Sequence, residues 1–303
     1  MSVSRTLFSE PSADDEYGPA PEPSEACQRI LTRTANLVSV APTLRAVLDA
    51  VNDPALAPNA LAVLVGRDAA LLTSVMRVAN SPIYRTARMV RDPIDAIVMM
   101  GFSEVRNLVI LRLAKLATQP GSGPMQTQMW QHSMGAALAA QSLARSLRGI
   151  TVSHAFTCAL LHDVGKTVLA HSERGYQEIW ASAASGVEAE VLERARYGTD
   201  HSEVGGALLR MWRLPEQYEK VVRYVHRETP QAPGYIDAKS GRLLAMIALA
   251  DEIALCKGLG QTAPRPLEAL ATHPSLARLD AGYDVVTKAS DDIDAELADA
   301  AQR

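Results

Sequence analysis

Residues 158–166 read Cys158-Ala159-Leu160-Leu161-His162-Asp163-Val164-Gly165-Lys166, and the interpretation of the whole chain starts from this stretch. Apolar residues up to Leu161 indicate the end of a buried helix, and Gly165 is predicted to close the turn that follows. An ionised carboxylate is rarely buried unless it is paired or binds a cation. Imidazole and carboxylate groups together are typical transition-metal ligands. A lone His-Asp pair is more often a core histidine beside a capping aspartate, so the remaining sequence has to separate the two interpretations.

The composition narrows the class of protein. Of the 303 residues, 48% are hydrophobic and 5% aromatic, and the many Ala and Leu residues favour helices over strands. The net charge of −4 gives no basic footprint for direct nucleic-acid binding. Three widely spaced cysteines match neither a disulfide framework nor a zinc finger, so a reducing, cytoplasmic location is expected. Without a signal-peptide pattern or a bilayer-length apolar run, we expect no membrane association.

Shifts in composition predict the domain organisation. Residues 1–24 are rich in Pro, Asp and Glu and are predicted to form a disordered acidic leader. A first lobe is predicted over residues 25–118, followed by a linker of Gln, Pro, Gly and Ser over residues 119–124. All seven histidines follow, most of them in a second lobe predicted over residues 125–260. Residues 261–303 are predicted to be a helical and acidic C-terminal tail.

Helix signals recur along the chain and predict an all-α fold, a multi-helix bundle of two lobes. The apolar spacing of residues 69–79 predicts one helix of the first lobe. Asp92 is predicted to cap the next helix, with Pro93 at its first position and Gly101 after its end. Ser103 is predicted to cap the helix that follows.

The second lobe carries its polar residues on apolar helices. A helix predicted over about residues 125–147 contains His132. Asp200, with Glu203 three residues later, outlines a capping box and places His201 in the first turn of another helix. Asp251 falls on the apolar stripe of a later helix, where an unpartnered carboxylate should not lie.

Six polar residues therefore lie within, or at the ends of, five successive apolar helical segments. They are His132, His162, Asp163, His201, His226 and Asp251. A helix bundle can bring such segments to one interior point. The set suits a divalent metal such as Fe, Mn or Zn, and it is large enough for one or two ions. In a two-metal site Asp163 would bridge the ions, and the pair could clamp a phosphate. His154, His171 and His273 fall outside the pattern and are interpreted as surface or ordinary polar positions.

The order of His132, His162-Asp163 and Asp251, with Gly165-Lys166 following, resembles the pattern of the HD superfamily of metal-dependent phosphohydrolases. His201 and His226 fall where di-metal members of that superfamily place further ligands. More closely, the chain resembles the HDOD family, the HD-related output domains of bacterial signalling proteins. The segments that carry this resemblance are residues 77–84 (RVANSPIY), 93–97 (PIDAI), 100–102 (MGF), 200–209 (DHSEVGGALL) and 212–215 (WRLP). The resemblance covers roughly residues 25–260 and implies an HD-like C-terminal lobe.

Departures from the catalytic relatives bear on activity. The HD-GYP proteins, which degrade cyclic-di-GMP, carry a paired His-His-Glu followed by Gly-Tyr-Pro. The matching positions here read Val225-His226-Arg227-Glu228 and Gly234-Tyr235-Ile236. Those relatives also carry a carboxylate one turn before their first histidine ligand, where this chain has Gln128. These differences predict one intact metal site and an eroded multi-metal site.

The resemblance leaves alternative functions open. HDOD proteins have no established enzymatic activity, so the first interpretation is a regulatory module that binds a signalling protein partner and a possible nucleotide ligand. The second is a phosphohydrolase acting on a nucleotide or cyclic dinucleotide, in which Lys166 is a catalytic candidate that pairs with phosphate charge. If the protein is not such an enzyme, Lys166 is interpreted as a solvated cation near a helix end. The third is a metal-free remnant whose His and Asp side chains only hydrogen-bond one another. We expect the first, with slow or no turnover of cyclic dinucleotides.

Overall fold

The structure, a computed structural model, describes residues 21–34, 42–51, 53, 55–81, 84, 89–118, 123–227, 236–260 and 262–301. Within these ranges every regular element is a helix and no strand occurs, which confirms the all-α prediction. The first helices are α1 Glu25–Arg33, α2 Pro42–Ala50, α3 Pro58–Val65, α4 Ala69–Ala79, α5 Pro93–Met100 and α6 Phe102–Thr118. They are followed by α7 Pro124–Ser146, α8 Val152–Leu161, α9 Val164–Ser172, α10 Tyr176–Ser182, α11 Gly186–Tyr197, α12 His201–Met211, α13 Glu216–Tyr224 and α14 Ala238–Cys256. A 3₁₀ helix Leu267–Thr272, α15 Pro274–Leu279 and α16 Asp284–Ala301 complete the described chain.

Local sequence signals set several helix ends. Asp68 caps α4 and Asp92 caps α5, and each side chain accepts a backbone N–H bond, at 2.8 and 2.7 Å. The prediction that Ser103 caps α6 is wrong, because that helix begins at Phe102. The carbonyl of Gly101 already accepts the N–H of the residue four positions later, at 3.4 Å, so the first helical turn starts sooner.

The turn at His162-Asp163 is tighter than the sequence suggested. Helix α8 ends at Leu161 and α9 begins at Val164, so Gly165 lies inside the first turn of α9 and does not close a turn after a helix. A Cβ atom on Gly165 would lie only 1.9 Å from the carbonyl oxygen of His201. The missing side chain lets α9 pack directly on the backbone of α12, and this contact brings the His-Asp turn up against His201.

Helix α7 is the centre of the second lobe. It packs against α8, α14 and α16. Its buried face is built largely of alanine, at Ala136, Ala137, Ala139 and Ala140, all of which are inaccessible to solvent. Short side chains let the neighbouring helices approach closely, so residues on several helices can reach one interior point.

The two predicted lobes share one apolar core, a continuous cluster of buried side chains from Cys27 to Ile293. Helix α1 packs against α9 and α12, and the backbone N–H of Ser24 donates to Glu203 Oε1 at 2.6 Å. Residues 1–20 of the predicted leader and 119–122 of the predicted linker lie outside the described residues. The leader and the linker therefore stay predictions.

The acidic end of the chain contains a packed helix. The fully or largely buried residues of α16 are Val285, Val286, Ala289, Ser290 and Ile293. Ser142 on α7 donates a hydrogen bond to Asp292 Oδ2 at 2.5 Å. Exposed carboxylates, including Asp291, Asp294 and Glu296, occupy the other side of α16. The acidic run is therefore the solvated face of a helix whose opposite face belongs to the core.

The three cysteines are buried and unpaired, so none of them forms a disulfide. Among the described helices, none combines the length and the hydropathy that crossing a bilayer requires. A small apolar patch on α3 and α5, formed by Val63, Ile94 and Val98, is exposed.

Candidate metal centre

The six residues singled out as candidate metal ligands lie around one interior point. His132 comes from α7, and His162 and Asp163 form the turn between α8 and α9. The other three are His201 at the start of α12, His226 just beyond α13 and Asp251 in α14. Each of the six is at most 8% exposed. Residues up to 119 positions apart in sequence are thus brought to a single buried cluster.

Asp163 is the centre of this cluster and uses both carboxylate oxygens. Its Oδ2 lies 3.4 Å from Nε2 of His132 and 3.4 Å from Nε2 of His162. Its Oδ1 lies 3.0 Å from Nε2 of His226 and 3.7 Å from Nε2 of His201. Three overlapping groups of His and Asp therefore have their ligand atoms within 4.8 Å of one another.

Hydrogen bonds to backbone carbonyls orient two of the imidazoles. Nδ1 of His132 lies 2.8 Å from the carbonyl oxygen of Leu259, and Nδ1 of His162 lies 2.6 Å from that of Ala159. Because a carbonyl can only accept, we assign the ring proton to Nδ1 in both residues. The Nε2 atoms then face the cluster, as is usual for histidines that bind metals.

His201 is oriented by a buried carboxylate that the sequence did not indicate. Its Nδ1–H and its backbone N–H both donate to Glu193 Oε2, at 2.6 and 2.7 Å. The hydroxyl of Tyr176 donates to the other oxygen of Glu193 at 2.7 Å. Nε2 of His201 is buried and has no hydrogen-bond partner among the described residues. Buried polar atoms normally have a partner, so this free lone pair suits an ion in the cluster.

Asp251 and Gly186 complete the surroundings of His226. Asp251 Oδ2 lies 3.5 Å from Nδ1 of His226, and Asp251 Oδ1 lies 3.0 Å from Nε2 of His132. A Cβ atom on Gly186, at the start of α11, would lie 2.2 Å from Nδ1 of His226. The histidine ring can hold its place only because residue 186 has no side chain.

Lys166 lies within the cluster and is buried, so it is not a solvated cation at a helix end. Its Nζ donates to Asp163 Oδ2 at 2.6 Å, and the residue is 5% exposed. Burial alone would lower the pKa of Lys166, but the carboxylates of Asp163 and Asp251 raise it above its usual value. The ammonium group is therefore a permanent positive charge beside the central carboxylate.

The neighbouring charges shift the pKa values of the cluster. Burial alone would lower the pKa of His162, but Asp163 and Asp251 outweigh it and raise the pKa to about 10. Burial alone would raise the pKa of both carboxyl groups, but the adjacent imidazoles, joined by Lys166 at Asp163, hold both pKa values well below the usual range. Burial dominates at His226 and lowers its pKa. The carboxylates are ionised, and a cation is the natural counter-charge.

The space between the cluster and the start of α11 is small. The described residues enclose a cavity of about 10 Å³, bordered among others by His132, Lys166, Gly186, His226 and Asp251. Such a volume holds about one water molecule or one ion.

The positions that depart from the catalytic relatives supply no ligand. The indole N–H of Trp180 donates to Gln128 Oε1 at 3.3 Å, so this amide is engaged elsewhere. Val225 is an apolar residue, 4% exposed. The positions of Glu228 and Gly234-Tyr235 lie outside the described residues.

The remaining histidines take no part in the cluster. His154 packs edge-on against the ring of Tyr218, with the ring centroids 4.7 Å apart. His171 is exposed, and His273 Nδ1 accepts the backbone N–H of Ser275 at 3.3 Å as the cap of α15. The supporting residues were not foreseen, since Glu193 lies in a run of charged residues and Gly186 follows an ordinary loop.

Comparisons with known proteins agree with this arrangement. The profile of the HDOD domain family matches residues 37–228. A curated relative, an uncharacterised protein from Treponema pallidum, is 25% identical over 187 residues, which cover 61% of this chain and 36% of that protein. The chain therefore spans only about a third of the length of the curated relative it matches.

Several solved structures share the fold. An HDOD domain protein of unknown function from Geobacter sulfurreducens has a TM-score of 0.65 and 24% identity, covering 90% of this chain and 94% of that one. A candidate phosphohydrolase from Shewanella amazonensis has a TM-score of 0.64 and 23% identity, with coverages of 88% and 94%. A candidate signal-transduction protein from Marinobacter aquaeolei has a TM-score of 0.60 and 20% identity, with coverages of 89% and 63%. At these identities the likeness concerns the fold.

Proposed function

The chain belongs to the HDOD domain family, and we propose that it is a regulatory signalling module that binds a divalent metal ion and acts through a protein partner, without appreciable hydrolysis. One observation carries this proposal. The six candidate ligands form three overlapping groups with ligand atoms within 4.8 Å of one another, and His132, His226 and Asp251 border a cavity of about 10 Å³, which has room for an ion. Small-molecule sites usually have volumes of about 300–1,000 Å³, so this cavity is too small for a nucleotide.

The donor set suits the ion. His132, His162, Asp163 and Asp251 would hold it, with His201 and His226 beyond Oδ1 of Asp163. Carbonyl acceptors already direct the Nε2 atoms of two imidazoles inwards, and His201 presents an unpartnered Nε2. Fe, Mn and Zn all accept such mixed nitrogen and oxygen ligands. A bound divalent ion supplies a fixed positive charge and Lewis acidity.

Charge balance favours a single ion. Three buried carboxylates, of Asp163, Asp251 and Glu193, lie in or against the cluster, together with one buried ammonium, that of Lys166. The other buried carboxylates nearby already pair with arginines. With neutral imidazoles, two negative charges remain uncompensated, and buried charges are costly unless paired. One divalent cation balances them, whereas a second would leave an excess of positive charge.

The alternative function is a metal-dependent phosphohydrolase acting on a nucleotide or cyclic dinucleotide. It is favoured by the retention of all six candidate ligands and by the likeness to the Shewanella protein. Three features oppose it. Gln128 is bonded to Trp180, Val225 is apolar, and the Nζ of Lys166 is already bonded to Asp163 and so is not free for phosphate.

A protein partner is the proposed route of output. The apolar patch on α3 and α5 is formed by Val63, Ile94 and Val98, which are 61%, 38% and 63% exposed. Clustered exposed apolar side chains often mark protein-binding surfaces. We infer that a signalling protein with a complementary apolar surface contacts this patch.

The test combines metal analysis with an activity assay. Protein purified without chelators and without a histidine tag should carry about one equivalent of transition metal per chain. Incubated with Mn(II) or Fe(II) and cyclic-di-GMP, it should release no linear product at an enzymatic rate. Turnover on the order of 1 s⁻¹ that disappears in the Asp163→Ala variant would establish the hydrolase instead. Protein that neither retains nor takes up metal would establish the metal-free remnant.

A further inference from the structure

A second and much larger cavity lies where α6 meets α7 and α8. Its volume is about 480 Å³, within the usual range for small-molecule sites. Its apolar lining consists of Val78, Leu108, Leu111, Val152, Phe156 and Leu160. None of its lining residues also lines the metal cavity. This inter-lobe cavity is thus a separate site, formed between the predicted first and second lobes.

A carboxylate borders one part of the inter-lobe cavity. Glu104 on α6 is half-buried, and its Oε2 accepts a hydrogen bond from Asn107 Nδ2 at 3.3 Å. No described lysine, arginine or histidine forms an ion pair with Glu104. The hydroxyl of Tyr84 and the amide of Gln141 also line the cavity. A carboxylate on an apolar wall without a cation partner is suited to accept hydrogen bonds from a ligand.

A positively charged group and backbone N–H donors border another part of the cavity. Arg145 on α7 lines it and forms no ion pair with a described carboxylate, although its charge acts on Asp292 of α16. Val152 and Ser153, the first two residues of α8, also line it, and backbone N–H groups at a helix start lack intrahelical acceptors. The N-cap residue Thr151 makes no side-chain hydrogen bond to them. A guanidinium beside a helix N-terminus attracts an anion, phosphate in particular.

We propose that the inter-lobe cavity binds a guanine nucleotide. The adjacent N1–H and N2–H₂ donors of guanine match the two oxygens of a carboxylate, whereas adenine presents the acceptor N1 at the same position. Glu104 therefore receives the base edge, and Phe156 provides an aromatic face against which the base packs. Arg145 and the start of α8 receive the phosphate.

The position of the cavity gives such a ligand a route to the metal centre. Leu160 lines the inter-lobe cavity, and the carbonyl of the preceding residue, Ala159, accepts the Nδ1–H of His162 at 2.6 Å. Gln141 and His132 likewise share α7. A nucleotide would therefore touch the two helices that orient the first metal ligands. The role of the nucleotide as a regulatory signal rests on the function proposed above, whereas the binding of the nucleotide to the cavity does not.

Isothermal titration of the full chain with guanosine 5′-monophosphate, adenosine 5′-monophosphate and guanosine tests the proposal. The guanine nucleotide should bind with one-to-one stoichiometry and at least about tenfold more tightly than the adenine nucleotide. Glu104→Gln should weaken guanosine monophosphate about tenfold and leave adenosine monophosphate unchanged. Arg145→Gln should reduce the affinity for guanosine monophosphate to that for guanosine, because only the phosphate contact is lost.

Matched controls are Glu268→Gln and Arg148→Gln, which change exposed residues outside the cavity lining and should bind as the unmodified chain does. Unchanged thermal midpoints in all four variants would show that each is folded. No binding of guanosine monophosphate up to about 1 mM would overturn the proposal. Binding that survives undiminished in both Glu104→Gln and Arg145→Gln would overturn it too. The affinity for guanosine monophosphate is measured without reference to metal content or turnover. Failure of the nucleotide proposal is therefore distinguishable from failure of the proposed metal-binding function.

Discussion

At the scale of single residues, Asp163 contacts every other member of the cluster except Asp251. One oxygen faces His132, His162 and Lys166, and the other faces His201 and His226. Its charge is offset in the metal-free protein by Lys166 and by protonation of neighbouring imidazoles. The same charge would hold a divalent ion.

Replacing Asp163 with Asn should remove metal retention while keeping the size of the side chain. The loss of charge leaves the buried Lys166 ammonium unpaired, and we expect the free energy of unfolding to fall by about 3 kcal/mol or more. The double variant Asp163→Asn/Lys166→Met should regain most of this stability without regaining metal. Metal content per chain and urea unfolding measure the two effects.

Asp95→Asn is the matched control, since Asp95 is exposed on α5 far along the chain from the cluster, and it should change neither quantity. An Asp163→Asn protein that keeps a full equivalent of metal would contradict the assignment of Asp163 as a ligand.

The pKa of His162 predicts how metal binding depends on pH. Its pKa is about 10 in the metal-free protein, above the value of about 6.5 in an unfolded chain. The raised pKa therefore stabilises the metal-free fold below about pH 6.5, and this contribution is lost as the pH rises towards 10. A metal needs the unprotonated nitrogen, so its affinity grows over the same interval. The increase in Tm on adding Mn(II) should be larger at about pH 8.5 than at about pH 6.5.

Differential scanning fluorimetry at constant ionic strength measures this dependence. The Asp163→Asn variant serves as the blank, in which Mn(II) should not shift Tm at either pH. A shift that becomes smaller as the pH rises would show that protons do not compete with the metal at this cluster.

At the scale of elements, the start of α12 couples helix capping to the site. Asp200 accepts the backbone N–H of Glu203 at 2.7 Å and pairs with Arg194 at 2.5 Å. The predicted capping box is only half formed, because Glu203 bonds the hydroxyl of Thr199 and the N–H of Ser24. His201 is the residue that follows the cap.

Asp200→Ala should lower the free energy of unfolding by about 1–2 kcal/mol through the lost cap, and more through the broken ion pair. It should also weaken metal binding, because the first turn of α12 positions His201. The control is Asp68→Ala at the start of α4, where the lost cap should cost about 1 kcal/mol and leave metal affinity unchanged. Equal metal affinities in the two variants would show that the cap of α12 does not influence metal binding.

At the scale of the whole molecule, the C-terminal helix is part of the core that supports α7. Ala289 on α16 is fully buried, and α16 packs against the helix that carries His132. Ala289→Arg should place an unpaired charge in this contact and lower the free energy of unfolding by about 3 kcal/mol or more. Ala295→Arg, at an exposed position of the same helix, should have little effect. Similar unfolding midpoints for the two variants in urea would mean that α16 contributes little to the fold.

Several features of this protein follow from short stretches of its amino-acid sequence. The helical periodicity, the caps at Asp92 and Asp200 and the position of Asp251 on the apolar stripe of its helix depend on residues a few positions apart, so they could be predicted. The choice of the six polar residues also followed from local context, since a charged or imidazole group on an apolar helix needs a partner.

How those residues meet depends on the packing of the whole chain. The support of His201 by Glu193, the close approach of Gly186 to His226 and the carbonyl of Leu259 at His132 join segments that have no common local pattern. The burial of Lys166, the volume of about 10 Å³ at the metal centre and the 480 Å³ inter-lobe cavity are likewise products of packing. Distances between residues far apart in sequence are set by the sum of many side-chain contacts, and no short stretch of sequence contains that sum.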